Sequence, residues 1–175
     1  MNKQIGSHFP EFSGYYIGSL SLNNTVAEYF IAEKGLQILL PWGNLGIETG
    51  IYLPHYTDSQ CLNVLTNETT NSSYNGRWNT QNFLYNHQTP AGCYCLRIPG
   101  DFFLPSLHEL FMIQKNLQTF NANCPENQTL DLESYWSSSE YNLWKAWSVD
   151  FSSGKIHTCV KHDSNIVRPI TKFVQ

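Results

Sequence analysis

From Tyr135 onward the hydrophobic pattern takes a period of two, and this constrains the fold more than any other feature. Trp147, Val149 and Phe151 fall on one side of an extended segment; Ser148, Asp150 and Ser152 fall on the other. Successive side chains of a strand point to opposite faces, so the segment reads as a strand with one buried face. Ser153-Gly154 reads as a turn. Ile156, Thr158 and Val160 then alternate with Lys155, His157, Cys159 and Lys161. A last strand is predicted from about Ile166 to Phe173. Trp136 and Trp147 are expected in the core and Trp144 in a loop, as a contact residue.

The first half predicts a hairpin, Gly14 to Gly18 and Val26 to Ile31, with Asn23-Asn24 as its turn. Residues 41–76 are rich in Gly, Asn, Thr and Ser. They read as a long irregular but ordered segment, with a short strand or turn near Ile51-Tyr52-Leu53. A helix is predicted from Arg77 to Gln88. It would start near Asn79 or Thr80, face Phe83 and Leu84 inward, and be ended by Pro90 and Gly92. The clearest helix follows Ser106, because Ser106 and Glu109 form a capping box in which each satisfies an orphan backbone donor of the other. Leu107, Leu110, Phe111 and Leu117 make its apolar stripe. Residues 121–134 read as a polar loop. No linker or repeat divides the chain, so residues 1–175 read as one domain.

Composition narrows the function. Aromatic residues make up 14% of the chain, equal to the charged fraction, so the core is built from large rings joined by loops. The net charge is −4 and the basic residues are scattered, which argues against binding duplex nucleic acid. No stretch approaches the roughly 20 apolar residues of a membrane span. The longest candidate, Leu36 to Leu40, stops at Pro41. Residues 1–7 carry no apolar signal core. The expected location is therefore the cytoplasm before assembly, and then a virion or a cell surface reached without a visible signal. Five cysteines leave at least one free or paired between chains, so a homo-oligomer stays open. Cys93-Tyr94-Cys95 is too tight for the usual zinc knuckle. None of the six histidines sits in a metal-binding motif, and no metal or cofactor is expected.

Several ordered elements resemble one family. These are Phe103-Leu104-Pro105-Ser106-Leu107-His108-Glu109-Leu110, Tyr135-Trp136-Ser137-Ser138-Ser139-Glu140-Tyr141, Ala146-Trp147-Ser148-Val149-Asp150-Phe151, Ser153-Gly154 and Val167-Arg168-Pro169-Ile170, with Gly14-Tyr15-Tyr16-Ile17-Gly18 at the start. Together they resemble the Lcl C-terminal domain family of collagen-like bacterial adhesins and phage fibre proteins, most closely over residues 90–171. The resemblance implies an α+β, C-type-lectin-like fold: twisted antiparallel sheets, two helices, long ordered loops, and N- and C-terminal strands side by side. A narrower resemblance is to the variable proteins of diversity-generating retroelements. It makes Ala146, Trp147, Val149, Phe151, Gly154 and Val167-Arg168-Pro169 the framework of a diversified face.

The expected role is non-enzymatic recognition of a bacterial surface protein or glycan. The ligand-binding residues would be Tyr141, Asn142, Trp144, Lys145, Ser148, Asp150, Lys155, His157, Cys159, His162, Asp163 and Asn165. Aromatic anchors among adaptable polar groups suit such a surface. The alternative is a structural virion decoration or fibre protein that contacts only virion partners. An enzyme of the formylglycine-generating kind is a third reading, and it has only Cys159 where that chemistry uses a cysteine pair. Calcium-dependent sugar binding lacks its ligand triplets, since Pro125-Glu126-Asn127 is in the wrong order. One structural expectation is a buried Glu109–Arg168 clamp between helix and sheet.

Overall fold

Strands from both ends of the chain build the first of two sheets. The computed structural model describes residues 3–22, 25–46, 49, 75–86 and 89–174. Strand β1 (His8–Phe9) leads through a 3-10 turn at Pro10–Phe12 into β2 (Gly14–Leu22) and β3 (Thr25–Ala32). With β9 (Ile170–Val174) they form a sheet in the order β1-β2-β3-β9. The strands of the expected first hairpin pair, and β3 lies beside β9, bringing strands from the two ends of the chain together; the expected Asn23-Asn24 turn lies outside the described residues. The second sheet has the order β4-β8-β5-β6-β7. Its strands are β4 (Ile38–Pro41), β5 (Ser134–Glu140), β6 (Lys145–Asp150), β7 (Ile156–Val160) and β8 (Ser164–Val167). The pairing of β5 with β8 is parallel, so this sheet is mixed where an antiparallel one was expected.

Three helices are present among the described residues, where two were predicted. α1 spans Gly76–Asn86, close to its expected range, but starts earlier, with the Asn75 side chain accepting from Trp78 N. Asn79 and Thr80 lie inside it, buried. The side chains of Phe83 and Leu84, and the segment around Ile51, fall outside the described residues. α2 (Pro90–Leu96) was not expected, because Pro90 was read as a stop. Proline at a first helical position sacrifices only an N–H that would be orphaned anyway. Thr89 caps the helix by accepting from Gly92 N at 3.1 Å. α3 (Leu107–Asn123) carries the predicted capping box.

The main core lies between α3 and the two sheets. Leu107, Leu110, Ile113, Leu117 and Phe120 of α3 meet Ile17, Tyr29 and Ile31 on one side and Tyr135, Trp147, Val149 and Phe151 on the other. Each such buried side chain stabilises the fold by about 1.5–3 kcal/mol. Phe111, placed on the stripe by the sequence, is only half buried. The helix approaches β2 closely at a bulge, where a Cβ on Gly18 (φ +148°) would stand 2.5 Å from Asn116 Nδ2 and 2.8 Å from Met112 Sδ and would displace both side chains. Asn116 Nδ2 donates there to Ile17 O at 2.9 Å. A second core on the opposite face of the mixed sheet joins Trp42, Ala91, Cys95, Leu104, Trp136, Ala146 and Val167.

The three consecutive serines of β5 sit at a second register shift and are fully buried. Buried polar groups need partners, and these serines have them. Ser137 Oγ donates to Trp147 O, Ser138 N donates to Pro105 O, Asn79 Nδ2 donates to Ser138 Oγ, and Leu107 N donates to Ser139 Oγ. The serines thus tie α1, α3 and β6 to the central strand of the mixed sheet.

Two expectations are corrected near the C-terminus. The predicted last strand is two strands, β8 and β9, in different sheets. Arg168-Pro169 is the crossing point: proline has no N–H to extend a ladder, and the buried Arg168 side chain donates to Gly35 O at 2.6 Å, Gln128 Oε1 at 2.8 Å and Ala32 O at 3.3 Å. The Glu109–Arg168 clamp is therefore not formed. Glu109 instead accepts from Ser106 N at 2.8 Å and Gly76 N at 3.1 Å, with Lys172 Nζ 3.8 Å away. Burial pushes its carboxyl pKa up, against the pull of Lys172 and these N–H groups.

Candidate functional site

The β6–β7 hairpin carries half of the residues expected to bind ligand and its flanking loops and β8 carry the rest, and together they fall in three places. The first is the end where β6 begins. Asn142 Oδ1 accepts from both Trp144 N and Lys145 N at 2.8 Å, and Tyr141 N and Asn142 N donate back to Lys145 O. An Asn side chain that mimics a backbone turn in this way fixes the loop locally. Trp144 O accepts from Lys161 N, and Leu143 O accepts from Gly46 N. The indole covers Gly46, where a Cβ would stand 3.8 Å from the ring, yet Trp144 remains 55% exposed. Lys145 is exposed, as are His162 and Asp163 in the adjoining β7–β8 turn. Tyr141 is half buried, edge-on to Trp147.

Beneath this end lies a dehydrated ion pair. Glu140 and Lys161 are both fully buried and pair through Glu140 Oε1. Glu140 Oε2 also accepts from Thr49 N at 2.9 Å and Thr49 Oγ1 at 2.7 Å, and the Lys161 ammonium stands 5.0 Å from the Trp42 ring centroid. Trp42 in turn donates to Ser137 O. The Trp144 loop therefore rests on residues about a hundred positions upstream.

The second place is the opposite end, the turn between β6 and β7. Asp150 Oδ1 accepts from Ser152 N and Ser152 Oγ, and its Oδ2 accepts from Ser153 Oγ. These bonds, the serine hydroxyls foremost, lower its pKa to about 2. Lys155 is exposed beside it. The turn and α3 enclose a groove of about 660 Å³, lined by Phe111, Gln114, Lys115, Asp150, Lys155 and His157 among others.

The third place is the sheet face between these ends. Ser148, His157 and Cys159 share it by register, and Asn165 of β8 lies on the same face. Ser148 is fully buried and does not reach the surface, so its expected role as an exposed contact is replaced by an internal one: its Oγ lies 3.4 Å from Cys159 Sγ. Burial alone would raise the Cys159 pKa. Interactions with His157 and Ser148 foremost outweigh it and bring the thiol down to about 7. The His157 pKa is raised in turn, chiefly by its bond to Cys159. A half-buried thiol so tuned has nucleophilic character near neutral pH.

Two contributors escaped the sequence reading. Gly46 comes from the irregular segment, and nothing in its neighbours signals contact with Trp144. Lys115 had a signal: it is the one basic residue between Arg97 and Lys145, and it lies off the apolar stripe of α3.

No family model matches the chain, and no curated protein matches it. A solved structure, that of a fimbrial protein from Bacteroides ovatus, is similar over 82% of this chain with a TM-score of 0.52 and 14% identity. The present chain spans 35% of that protein's length. The two share an α+β fold. At this identity the likeness speaks to the fold and to nothing finer.

Proposed function

We propose that this chain is a non-enzymatic recognition domain of the surface-adhesin kind, C-type-lectin-like in fold. In this reading it contacts a bacterial surface protein or glycan through the Trp144 end of the β6–β7 hairpin. The observation that carries the reading is Trp144: a large aromatic, 55% exposed, held by Asn142 and Gly46 on a loop that rests on a buried ion pair. Rigid aromatic anchors ringed by polar groups dominate binding energies. Tyr141, Lys145, His162 and Asp163 supply the polar surroundings, and the exposure of Lys145, His162 and Asp163 leaves their identity free of the core. That freedom is what a retroelement-diversified or phage receptor-binding face needs. The genetic counterpart would be a reverse transcriptase beside a near-copy of the 3′ coding segment.

A screen of bacterial surface glycans and proteins with the native chain tests this, alongside Trp144→Ala. The variant should lose affinity by at least about tenfold while its stability changes by less than about 0.5 kcal/mol. Undiminished binding by Trp144→Ala removes the site.

A structural role in a virion, fibre or other appendage, contacting only assembly partners, is the second reading. It is favoured by the exposed apolar residues Leu36, Leu39 and Leu132 around the β4 edge. Concentration-dependent self-association that is abolished by Leu39→Lys would support it.

A further inference from the structure

The groove between α3 and the β6–β7 turn lies at the far end of the hairpin from Trp144. We propose that it binds a carboxylate-bearing sugar unit of a glycan. The inference rests on the chain being a recognition domain, but not on Trp144 being its contact.

Its walls carry complementary chemistry. Lys115 projects from the helix side and Lys155 from the hairpin side, and among the described residues neither meets a carboxylate within ion-pair distance. Lys3, Arg77, Lys161 and Lys172 have an acidic partner, whereas Lys115 and Lys155, like Lys34, Arg97, Lys145 and Arg168, have none among the described residues; what distinguishes these two is that they line one groove. The groove does contain one acid, Asp150, but both of its oxygens already accept from Ser152 and Ser153. They are committed to the turn, although the carboxylate keeps its charge. The groove lining therefore carries two ammonium groups against one carboxylate, a local positive excess in a chain of net charge −4.

The remaining lining favours a sugar over a bare anion. Phe111 is half buried and presents an aromatic surface, over which the Lys115 ammonium lies 4.9 Å from the centroid. Such a ring packs against the C–H face of a pyranose, while ammonium groups take the carboxylate. Gln114 offers both a donor and an acceptor to hydroxyls. Its amide is pressed against the turn: a Cβ on Gly154 would stand 3.0 Å from Gln114 Nε2 and 3.2 Å from Oε1. Gly154 also adopts φ +71°, a conformation that favours glycine. The turn thus holds a polar amide in the groove beside an aromatic ring and two cations.

The test measures binding of glucuronic- and galacturonic-acid oligosaccharides and their neutral glucose and galactose counterparts by calorimetry. The proteins are the native chain, Lys115→Gln/Lys155→Gln and Trp144→Ala, with thermal melting to confirm that each folds. The acidic sugars should bind at least about tenfold more tightly than the neutral ones, and the double variant should lose that margin, since charge-assisted bonds are at stake. Trp144→Ala should keep it. Equal binding of neutral and acidic sugars, or no binding of acidic sugars, overturns the proposal. Acidic-sugar binding that survives in the double variant overturns it as well. If that binding is instead lost in Trp144→Ala, the glycan belongs to the Trp144 end: the groove falls and the recognition reading stands. Inorganic phosphate serves as the competing anion, and complete displacement of the sugar at equimolar phosphate would show a simple anion site and overturn the saccharide assignment.

Discussion

The two ends of the β6–β7 hairpin present exposed side chains on opposite kinds of foundation. At the Trp144 end the support is a fully buried Glu140–Lys161 pair, completed by Thr49 and Trp42 from far upstream. At the groove end the support is a solvent-facing Asp150 turn, in which every side-chain bond of the carboxylate closes within three residues. One foundation is tertiary and costly to disturb; the other is local and cheap. A surface that varies at the first end must therefore leave Glu140 and Lys161 alone. At the second end even the supporting residues have some freedom.

The sharpest way to break this contrast is Lys161→Met. Removing one partner of a buried pair leaves an uncompensated charge, so unfolding in urea should show a loss of about 3–5 kcal/mol. Lys161→Met combined with Glu140→Gln should recover part of it. A loss below about 1 kcal/mol would show that the two ends are held alike.

Between the ends, Cys159 offers an intermediate effect. Its alkylation rate, followed by peptide mass mapping, should rise to half its maximum near pH 7, where the thiol titrates at about 7. His157→Gln removes the strongest of the bonds that hold the thiol down, so the midpoint should move up toward the ordinary 9.0. The rate at pH 7 should then fall roughly tenfold, in line with the lost thiolate. An unmoved midpoint would mean that the thiol is not governed by this strand face.

The smallest effect belongs to Asp150→Asn, which should cost less than about 1 kcal/mol at neutral pH because the turn is exposed and screened. Its pH dependence follows from the depressed carboxyl: about 2 in the folded chain against an ordinary 3.8. The stability that Asp150 contributes is complete above its unfolded value and is lost as the pH falls through about 2. The stability difference between native chain and variant should therefore shrink on acidification below about pH 4. A difference that stays constant down to pH 2 would assign the turn's stability to its backbone.

Legibility in the sequence followed the same division. The Asp150–Gly154 turn, the faces of β6 and the Ser106–Glu109 capping box were readable, because each is decided by residues within a few positions of one another. α2 was missed because Pro90 signals a helix start as readily as a stop, and Thr89 decides between them. The split of β8 from β9 was missed for a different reason. Arg168 looks like an ordinary strand residue until Ala32, Gly35 and Gln128 converge on its guanidinium.

The candidate site shows the limit most clearly. Alternation correctly put Ser148, His157 and Cys159 on one face, but it said nothing of what covers that face. Ser148 proved fully buried.

By itself, then, the sequence determined local conformation and strand polarity: which residues turn, which cap, and which side of β6 faces the core. Only the tertiary structure decided that Glu140 meets Lys161, that Trp144 rests on Gly46, and that Lys115 and Lys155 face one groove. The physical reason is range. Turn and cap bonds close within a few residues and leave a pattern in the chain, whereas a buried ion pair or a groove wall depends on segments brought together only when the core excludes water.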